Sequence, residues 1–314
     1  LFARTSNLFR RGHWSMLADI VRFNRTATRH IRENQVTSQS LGDYLDSEGY
    51  GRPFADHYLL AMGSAIWSSP APEIRQFPAK AFIQFFHNHG LLTLNDRPQW
   101  KYVTGGSQTY VRAMLHDFSG TCHLHQPIHG IRRTGDHVHI ALPGGDTRMY
   151  DRVVIACHAD EALAMLDDPT PDEQRLLGAW RYQPNEAVLH TDPRVMPAAR
   201  RAWASWNFCR SAAATPAHAV SITYHMNRLQ QLQTRRQYFV TLNRSDAIRD
   251  DACLHRETFT HPVYGFEAIA SQEGLQGLNG RSHTYYCGSY FGNGFHEDAV
   301  RSAVDVAALF GEEL

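Results

Sequence analysis

One stretch near the carboxyl end carries most of the information on the fold: HTYYCGSYFGNGFHEDAVRSAVDVAALFG, residues 283–311. HTYYC has the composition of a β-strand, and the glycines Gly288, Gly292 and Gly294 follow it closely. Apolar residues at helical spacing come next and predict a helix with one buried stripe. That predicted stripe consists of Ala299, Val300, Ala303, Val304, Ala307 and Ala308.

The turn between this strand and this helix has features of a ligand site. Glycines let a backbone approach a ligand closely, and the first N–H groups of a helix have no partner within the helix, which suits an electron-rich group. Glu297 and Asp298 lie in the first turn, where their carboxylates complement the helix dipole and would repel a phosphate. The pattern favours a neutral acceptor such as a ring carbonyl, with a purely structural turn as the alternative.

The composition of the chain bounds its class. A chain of 314 residues can bury a large core and form two domains. The formal net charge is zero, so nothing in the charge balance indicates a nucleic-acid partner. Five scattered cysteines without a C-x-x-C pair are typical of reduced thiols in a cytoplasmic protein. No run of about 18 apolar residues predicts a membrane span.

Helical and strand patterns alternate along the chain. Residues 1–95 are predicted to be mainly helical, and Ser40 is the predicted N-cap of the second helix. A first amphipathic helix over residues 12–33 has an apolar stripe formed by Trp14, Leu17, Ile20, Val21, Asn24, Ala27 and Ile31. Its arginines predict a solvated face or, alternatively, contact with a membrane surface.

The middle of the chain predicts a sheet. Three short alternating strands follow Cys122, with TGDH and PGGD as hairpin signals, and the run RVVIAC (152–157) predicts a strand buried on both faces. Residues 158–177 predict a return to helix. Further strands are predicted from EAVLHTD, AVSITYHM and QYFVTLN.

Abundant histidines raise the question of a metal site. His123 and His125 would share one face of a strand, as would His137 and His139. No carboxylate or thiolate stands at a defined spacing from them, so exposed histidines on hairpin faces are the favoured interpretation and no metal is predicted. The chain also lacks G-x-G-x-x-G, a P-loop, G-x-S-x-G and H-E-x-x-H.

Three segments together carry a resemblance to a known family: WKYVTGGSQTYVRAM (100–114), YDRVVIACHADEALAML (150–166) and YYCGSYFGNGFHEDAVRSAVDVA (285–307). In this order and spacing they resemble the flavin-containing amine oxidase superfamily, which includes phytoene desaturases and protoporphyrinogen oxidases. ARRAWASWNF, SITYHMNRLQ and FTHPVYG are similar to one subgroup, bacterial NAD/FAD-binding oxidoreductases akin to the flavin domain fused to plant cyclopropane fatty acid synthases. The likeness covers essentially the whole chain.

The resemblance implies an α/β fold in which an FAD-binding Rossmann-like domain is interleaved with an α+β substrate domain. Residues 1–95 and 171–275 would form the substrate domain, and residues 96–170 and 276–314 the FAD-binding domain. Two departures stand out: Ser289 replaces the usual acidic residue, and the opening Gly-rich strand–turn–helix is absent. Leu1 would correspond to a point roughly a hundred residues into a complete member, so we expect a fragment without the N-terminal βαβ unit.

The resemblance also implies where FAD would bind, without a covalent bond. Ile128 would lie near the adenine, and Cys157 would border the same region. Gly288 and Ser289 would lie near the ribityl–pyrophosphate. The main-chain amides after Gly294, those of Phe295 and His296, would face the flavin ring.

The activity implied is transfer of a hydride from a hydrophobic small molecule to the flavin. The subgroup and the basic first helix favour a lipid acyl chain met at the inner face of the membrane, while an amine or a polyisoprenoid stays open. Trp203, Trp206, Tyr224 and His225 could line the substrate or belong to the core, and His261 or His296 could carry protons. No catalytic residue is assigned. A non-catalytic lipid- or partner-binding module and a histidine-based metalloenzyme are the rival hypotheses.

Overall fold

The computed structural model describes residues 5–36, 38–93, 99, 101–210 and 220–312. The α-helices are α1 Arg11–Arg32, α2 Leu41–Ser47, α3 Arg52–Phe54, α4 Leu60–Trp67, α5 Ala71–Gln76, α6 Ala79–Asn88, α7 Gln108–Asp117, α8 Ala159–Met165, α9 Pro171–Leu177, α10 Met226–Leu229, α11 Phe266–Leu275 and α12 His296–Ala308. The strands are β1 Gly130–Thr134, β2 His137–Ala141, β3 Thr147–Tyr150, β4 Val153–Ile155, β5 Arg181–His190, β6 Trp206–Arg210, β7 Val220–His225, β8 Phe239–Leu242, β9 Cys253–Val263 and β10 Thr284–Tyr286.

The chain divides into two units. The first comprises residues 1–117 and 183–261, and the second comprises residues 118–182 and 262–314. The assignment of residues 1–95 and 171–275 to substrate binding, and of 96–170 and 276–314 to FAD binding, stays a prediction.

The amino-terminal part of the first unit is helical, as predicted, in the described residues; residues 1–4, 37 and 94–95 lie outside them. Ser40 is the N-cap of α2, because its hydroxyl accepts a hydrogen bond from the Asp43 amide at 3.1 Å. Buried aromatic rings connect the helices, for example Phe23 of α1 and Phe54 of α3, whose ring centroids lie 5.4 Å apart.

The buried face of α1 differs in part from the predicted stripe. Ile20, Asn24 and Ala27 are buried as predicted, and Phe23 and His30 join them. Trp14, by contrast, is exposed. The 3.6-residue period fits two adjacent stripes here, and packing against Phe54 and Tyr44 selects the one that contains Phe23 and His30.

The first unit also contains a five-stranded sheet in the order β6-β7-β8-β5-β9. The pairs β6/β7, β7/β8 and β5/β8 are antiparallel. The strands predicted from EAVLHTD, AVSITYHM and QYFVTLN are confirmed as β5, β7 and β8; residue 219, at the start of the second run, lies outside the described residues.

The second unit has an antiparallel meander of β1, β2 and β3. Both predicted hairpin turns are confirmed: Gly135 lies in the first, and Gly144 and Gly145 in the second, all with positive φ angles. The segment CHLHQPIH was expected to begin the first strand, but β1 begins only at Gly130 and His125 has a φ of 55°. His123 and His125 therefore do not share a strand face.

A parallel pair, β4 and β10, completes the sheets of the second unit, with Ile155 opposite Tyr286. The prediction that RVVIAC is buried on both faces is wrong: Ile155 is 4% exposed but Val154 is 44% exposed. Successive side chains of a strand point to opposite faces, so only the Ile155 face is covered.

Residues 158–177 return to helix, as predicted, in two helices, α8 and α9. The break is local in origin. Thr170 caps α9 through a reciprocal capping box with Glu173, and Pro171 occupies the first helical position.

Candidate functional site

The candidate site lies at the carboxyl ends of β4 and β10. Because these neighbouring strands are parallel, the chain leaves both of them at the same edge, and Cys157 and Gly288 follow directly. A Cβ added at Gly288 would lie 3.5 Å from the carbonyl oxygen of Cys157, so these two predicted site residues are brought together. The carboxyl edge of parallel strands is where open α/β sheets bind ligands.

Gly288 is held in place by a serine of α12. The Gly288 amide donates a hydrogen bond to Ser302 Oγ at 2.9 Å, and the Ser302 hydroxyl lies 2.8 Å from the carbonyl oxygen of Ala299, to which it donates. This contact joins the start of the loop to the middle of α12.

The predicted apolar stripe of α12 is therefore wrong. Ser302 and Val306 are the buried residues, whereas Val300 is 47% exposed and Ala303 and Ala308 are exposed as well. Helix α12 is rich in small apolar residues on more than one face, and the polar contact of Ser302 with Gly288 decides which face is buried.

Tight packing accounts for the glycines of the loop. A Cβ at Gly288 would lie 2.6 Å from the Tyr290 ring, and one at Gly294, whose φ is 90°, would lie 2.6 Å from the Tyr264 hydroxyl oxygen. A Cβ at Gly292 would collide with the Asp298 carboxylate. Since internal contacts already require glycine at these positions, the glycines alone do not indicate a ligand.

The start of α12 is partly occupied by its own carboxylate. The Phe295 amide, predicted to face a flavin ring, donates to Asp298 Oδ2 at 3.0 Å. Glu297 extends outward and pairs with Arg301 at 3.4 Å. Phe295 is half-buried and His296 is exposed.

Tyr290 offers independent evidence of a ligand. Its side chain is 1% exposed, and within the described part of the chain its hydroxyl has no hydrogen-bond partner. Burial raises the pKa of Tyr290, so the group is a neutral donor. Leaving a buried hydroxyl unpaired costs about 1–3 kcal/mol. A ligand or a water molecule bound beside this hydroxyl would supply the missing partner. Tyr290 could not be predicted from the sequence, because an aromatic residue in a turn gives no distinctive local signal.

Two further side chains border the same edge. Tyr182 accepts a hydrogen bond from the Ala159 amide at 3.1 Å, and its ring stacks on His158 with centroids 4.2 Å apart. Burial, together with the nearby Glu161, raises the pKa of Cys157 to about 11. Cys157 is therefore a neutral thiol at neutral pH and no nucleophile.

A buried ionic network ties β10 to the rest of the second unit. Glu173 of α9 accepts hydrogen bonds from Arg133 Nη1 at 2.6 Å, Arg133 Nη2 at 3.0 Å and the Tyr286 hydroxyl at 2.6 Å. The side chains of Arg133 and Glu173 are each 4% exposed. Burial alone would raise the pKa of Glu173, but the hydrogen bonds from Arg133 and Tyr286 lower it to about 2. The network fixes the strand whose end carries Gly288.

Other predicted residues lie elsewhere. Ile128 precedes β1 and is exposed, and its role near an adenine stays a prediction. Ser289 is half-buried, and its carbonyl oxygen accepts hydrogen bonds from the amides of Gly292 and Gly294, each at 3.1 Å.

The aromatic candidates of the first unit form two separate pairs. Trp203 packs edge-on against His225 at 5.4 Å, and Trp206 pairs across the strands with Tyr224 at 5.8 Å. His261 Nδ1 lies 2.8 Å from the side-chain amide of the buried Asn185, which favours a structural role for this histidine.

Within the described residues, no group of three or more histidine, cysteine, aspartate and glutamate side chains could hold a metal ion. Among those same residues, no helix has both the length and the apolar character needed to cross a bilayer.

The family model for flavin containing amine oxidoreductases matches residues 21–234. The chain belongs to this family. Membership confirms the resemblance to flavin-containing amine oxidases and implies a flavin cofactor. No curated protein sequence matches the chain.

Solved structures of the same fold agree with this membership. A fatty acid isomerase from P. acnes that produces CLA aligns with a TM-score of 0.65 at 13% identity, over 96% of this chain and 75% of that one. A triple mutant of putrescine oxidase aligns with a TM-score of 0.62 at 13% identity, over 96% of this chain and 75% of that one. Cyclohexylamine oxidase from Brevibacterium oxydans IH-35A aligns with a TM-score of 0.59 at 11% identity, over 88% of this chain and 69% of that one. Likeness at such low identity shows the fold alone, and it confirms the predicted fold class.

The residues at the carboxyl edge of β4 and β10 fit a flavin. The orphaned hydroxyl of Tyr290 can donate to a polar atom of the cofactor, and the neutral Cys157 thiol adds no negative charge beside it. Asp298 is turned back onto the Phe295 amide, so its carboxylate is already engaged with a donor. The Tyr290 hydroxyl can therefore offer a neutral donor to an electron-rich group at this edge.

Proposed function

We propose that this protein is an FAD-dependent oxidoreductase that removes a hydride from a C–H bond of a hydrophobic substrate. Family membership supports the flavin chemistry. The observation that carries the location is the orphaned Tyr290 hydroxyl beside the joint carboxyl edge of β4 and β10.

When bound, the flavin supplies a two-electron acceptor for the hydride. The chain supplies position and shielding. Gly288, Ser289 and Cys157 would hold the cofactor at the sheet edge, and the main chain near His296 would lie toward its ring. Tyr290 would donate its hydroxyl proton in a hydrogen bond without transferring it, because burial raises its pKa.

Buried rings near Tyr290 would keep water from this edge. Trp180 lies edge-on to both Tyr264 and Tyr290, with ring centroids 5.3 Å and 5.8 Å away. A dry surrounding strengthens every hydrogen bond made to a bound cofactor.

We propose a lipid acyl chain as the substrate. The resemblance to the flavin domain fused to cyclopropane fatty acid synthases supports this choice, and one structure of the same fold is named as a fatty acid isomerase. Two others are named for the amines putrescine and cyclohexylamine, which makes an amine the alternative to be tested.

We also propose contact with the inner face of the cytoplasmic membrane. The exposed Leu8, Phe9 and Trp14 lie at the amino end of α1, beside Arg10 and Arg11. Apolar side chains flanked by arginines favour binding to an anionic membrane surface. In a flotation assay, anionic vesicles should carry the protein to the top of the gradient. Replacing Phe9 and Trp14 with serine should reduce the fraction of protein that floats. Protein that stays in the bottom fraction with vesicles present contradicts this contact.

The activity is tested with the full-length product of the reading frame. Its visible absorption should show a bound flavin, and chromatography of the released cofactor should identify FAD. Mixed without oxygen with a long-chain unsaturated fatty acid, the bound flavin should bleach.

Three other results would correct the proposed substrate, the proposed cofactor or the proposed activity. Bleaching by alkyl amines alone would replace the lipid substrate with an amine. FMN in place of FAD would correct the cofactor. A folded protein that neither retains nor takes up a flavin would refute the oxidoreductase and favour the non-catalytic module.

A further inference from the structure

A cleft on the first unit lies against α1. Its volume is about 570 Å³, and its walls include Asn24, Arg25, Thr28, Arg29, Arg32 and Glu33. Val21 and Leu92 supply an apolar wall. This volume lies within the range of small-molecule sites, roughly 300–1,000 Å³.

The arginines of the cleft differ from their neighbour on the same helix. Arg22 is satisfied: it pairs with Asp19 at 2.9 Å and donates to the carbonyl oxygens of Glu48 and Gly49. Among the described residues, Arg25, Arg29 and Arg32 make neither an ion pair nor a hydrogen bond. Like charges four residues apart on a helix repel each other, by roughly 0.2–0.5 kcal/mol per pair.

The helix dipole explains only part of this cluster. Arg29 and Arg32 lie in the last turn of α1, where positive charge is favourable. Arg25 lies two turns from the end of the helix, where the dipole offers little. Arg25 lines the cleft on the same helix face as Arg29 and Arg32, a position that suits contact with a ligand.

Asn24 is the second, independent observation. It is 7% exposed and lines the cleft, and within the described residues its side-chain amide nitrogen has no hydrogen-bond partner. A buried amide without a partner costs about 1–3 kcal/mol. A ligand oxygen in the cleft would satisfy it.

We propose that this cleft binds a phosphate monoester. Guanidinium groups match phosphate oxygens in geometry and charge, and the Asn24 amide is a further donor. The Thr28 hydroxyl already donates to the carbonyl oxygen of Asn24 at 2.7 Å. Among the described residues that line the cleft, three arginines against one glutamate leave two positive charges, which complement a phosphate dianion. The apolar wall of Val21 and Leu92 can contact the carbon part of the ester.

The phosphate monoester could be a soluble metabolite or the headgroup of a lipid, and two probes distinguish them. Titration calorimetry of the full-length protein uses phenyl phosphate as the soluble ester and monomeric dihexanoyl phosphatidate as the lipid. We expect saturable binding of at least one probe. Replacing Arg25 or Arg29 with glutamine should weaken it about tenfold each.

Two further variants separate binding from folding. Arg235→Gln removes an exposed arginine that does not line the cleft and should leave binding unchanged. Asn24→Leu should weaken binding while it maintains or raises the unfolding temperature, because it removes an unsatisfied buried donor.

Preference for phenyl phosphate would identify a soluble ester, and binding of phosphatidate alone would identify a lipid. Absence of binding for both probes at millimolar concentrations overturns the proposal, as does binding that Arg235→Gln weakens as much as Arg25→Gln. Flavin absorption does not enter this experiment, so its outcome is independent of the proposed oxidoreductase.

Discussion

Replacing Glu173 with glutamine should destabilise the protein severely. The glutamine keeps the shape of the side chain, but it loses the charge that Arg133 faces and turns an acceptor into a donor. Among the described residues, the one charged partner left to Arg133 would be Asp168, whose carboxylate lies 3.0 Å away and is 42% exposed. Removing one partner of a buried ion pair costs about 3–5 kcal/mol, a large share of a typical stability of roughly 5–15 kcal/mol.

Urea unfolding measures this loss, with Asp168→Asn as the matched control. Asp168 binds the same arginine from a half-exposed position, so its loss should cost about 1 kcal/mol or less. Replacing both partners, Arg133→Met with Glu173→Leu, should recover part of the stability lost in Glu173→Gln, because no buried charge is left alone. If Glu173→Gln costs no more than Asp168→Asn, the reasoning on this network is refuted.

The same network predicts a pH dependence. The pKa of Glu173 is about 2 in the folded protein, below its ordinary value of 4.5, so the unfolded chain takes up the proton first as pH falls. The stabilisation is thus complete above about pH 4.5 and is lost as pH falls toward 2, at no more than about 1.4 kcal/mol per pH unit. The Glu173→Gln variant should lack this contribution.

Three smaller predictions concern the loop and its surroundings. Ser302→Ala should lower the unfolding free energy by about 1–3 kcal/mol, since a buried amide loses its acceptor; an unchanged thermal midpoint would contradict this. Cys157, whose pKa burial raises to about 11, should be alkylated by iodoacetamide far more slowly at neutral pH than the exposed Cys122, as mass spectrometry can determine. Gly294→Ala should destabilise by at least about 1 kcal/mol more than Gly311→Ala, because both residues have positive φ but only Gly294 is crowded.

Local chemistry made much of the fold predictable from the sequence. The hairpin turns TGDH and PGGD and the N-cap at Ser40 depend on neighbouring residues, and the structure confirms them. The strand prediction for CHLHQPIH is wrong because alternation alone does not make a strand. A strand also needs a neighbour with which to pair, and the meander begins only at Gly130.

Contacts between distant residues could not be predicted in this way. Glu173 lies 40 residues from Arg133 and 113 residues from Tyr286 along the chain, so no local sequence pattern predicts the hydrogen bonds among them. The prediction of the buried face of α12 is wrong for the same reason, because the hydrogen bond from the Gly288 amide to Ser302 places Ser302 on the buried face. The order of the family's motifs identified the cofactor class, whereas the orphaned Tyr290 hydroxyl emerged only from the packing.

Hydrogen–deuterium exchange with and without FAD tests the location of the cofactor most directly. In the full-length protein, FAD should slow exchange in the loop from Gly288 to His296 and in the turn after β4 around Cys157. The Tyr290→Phe variant should bind FAD more weakly while it keeps its fold. FAD binding that protects other segments and leaves both of these unchanged would contradict the account.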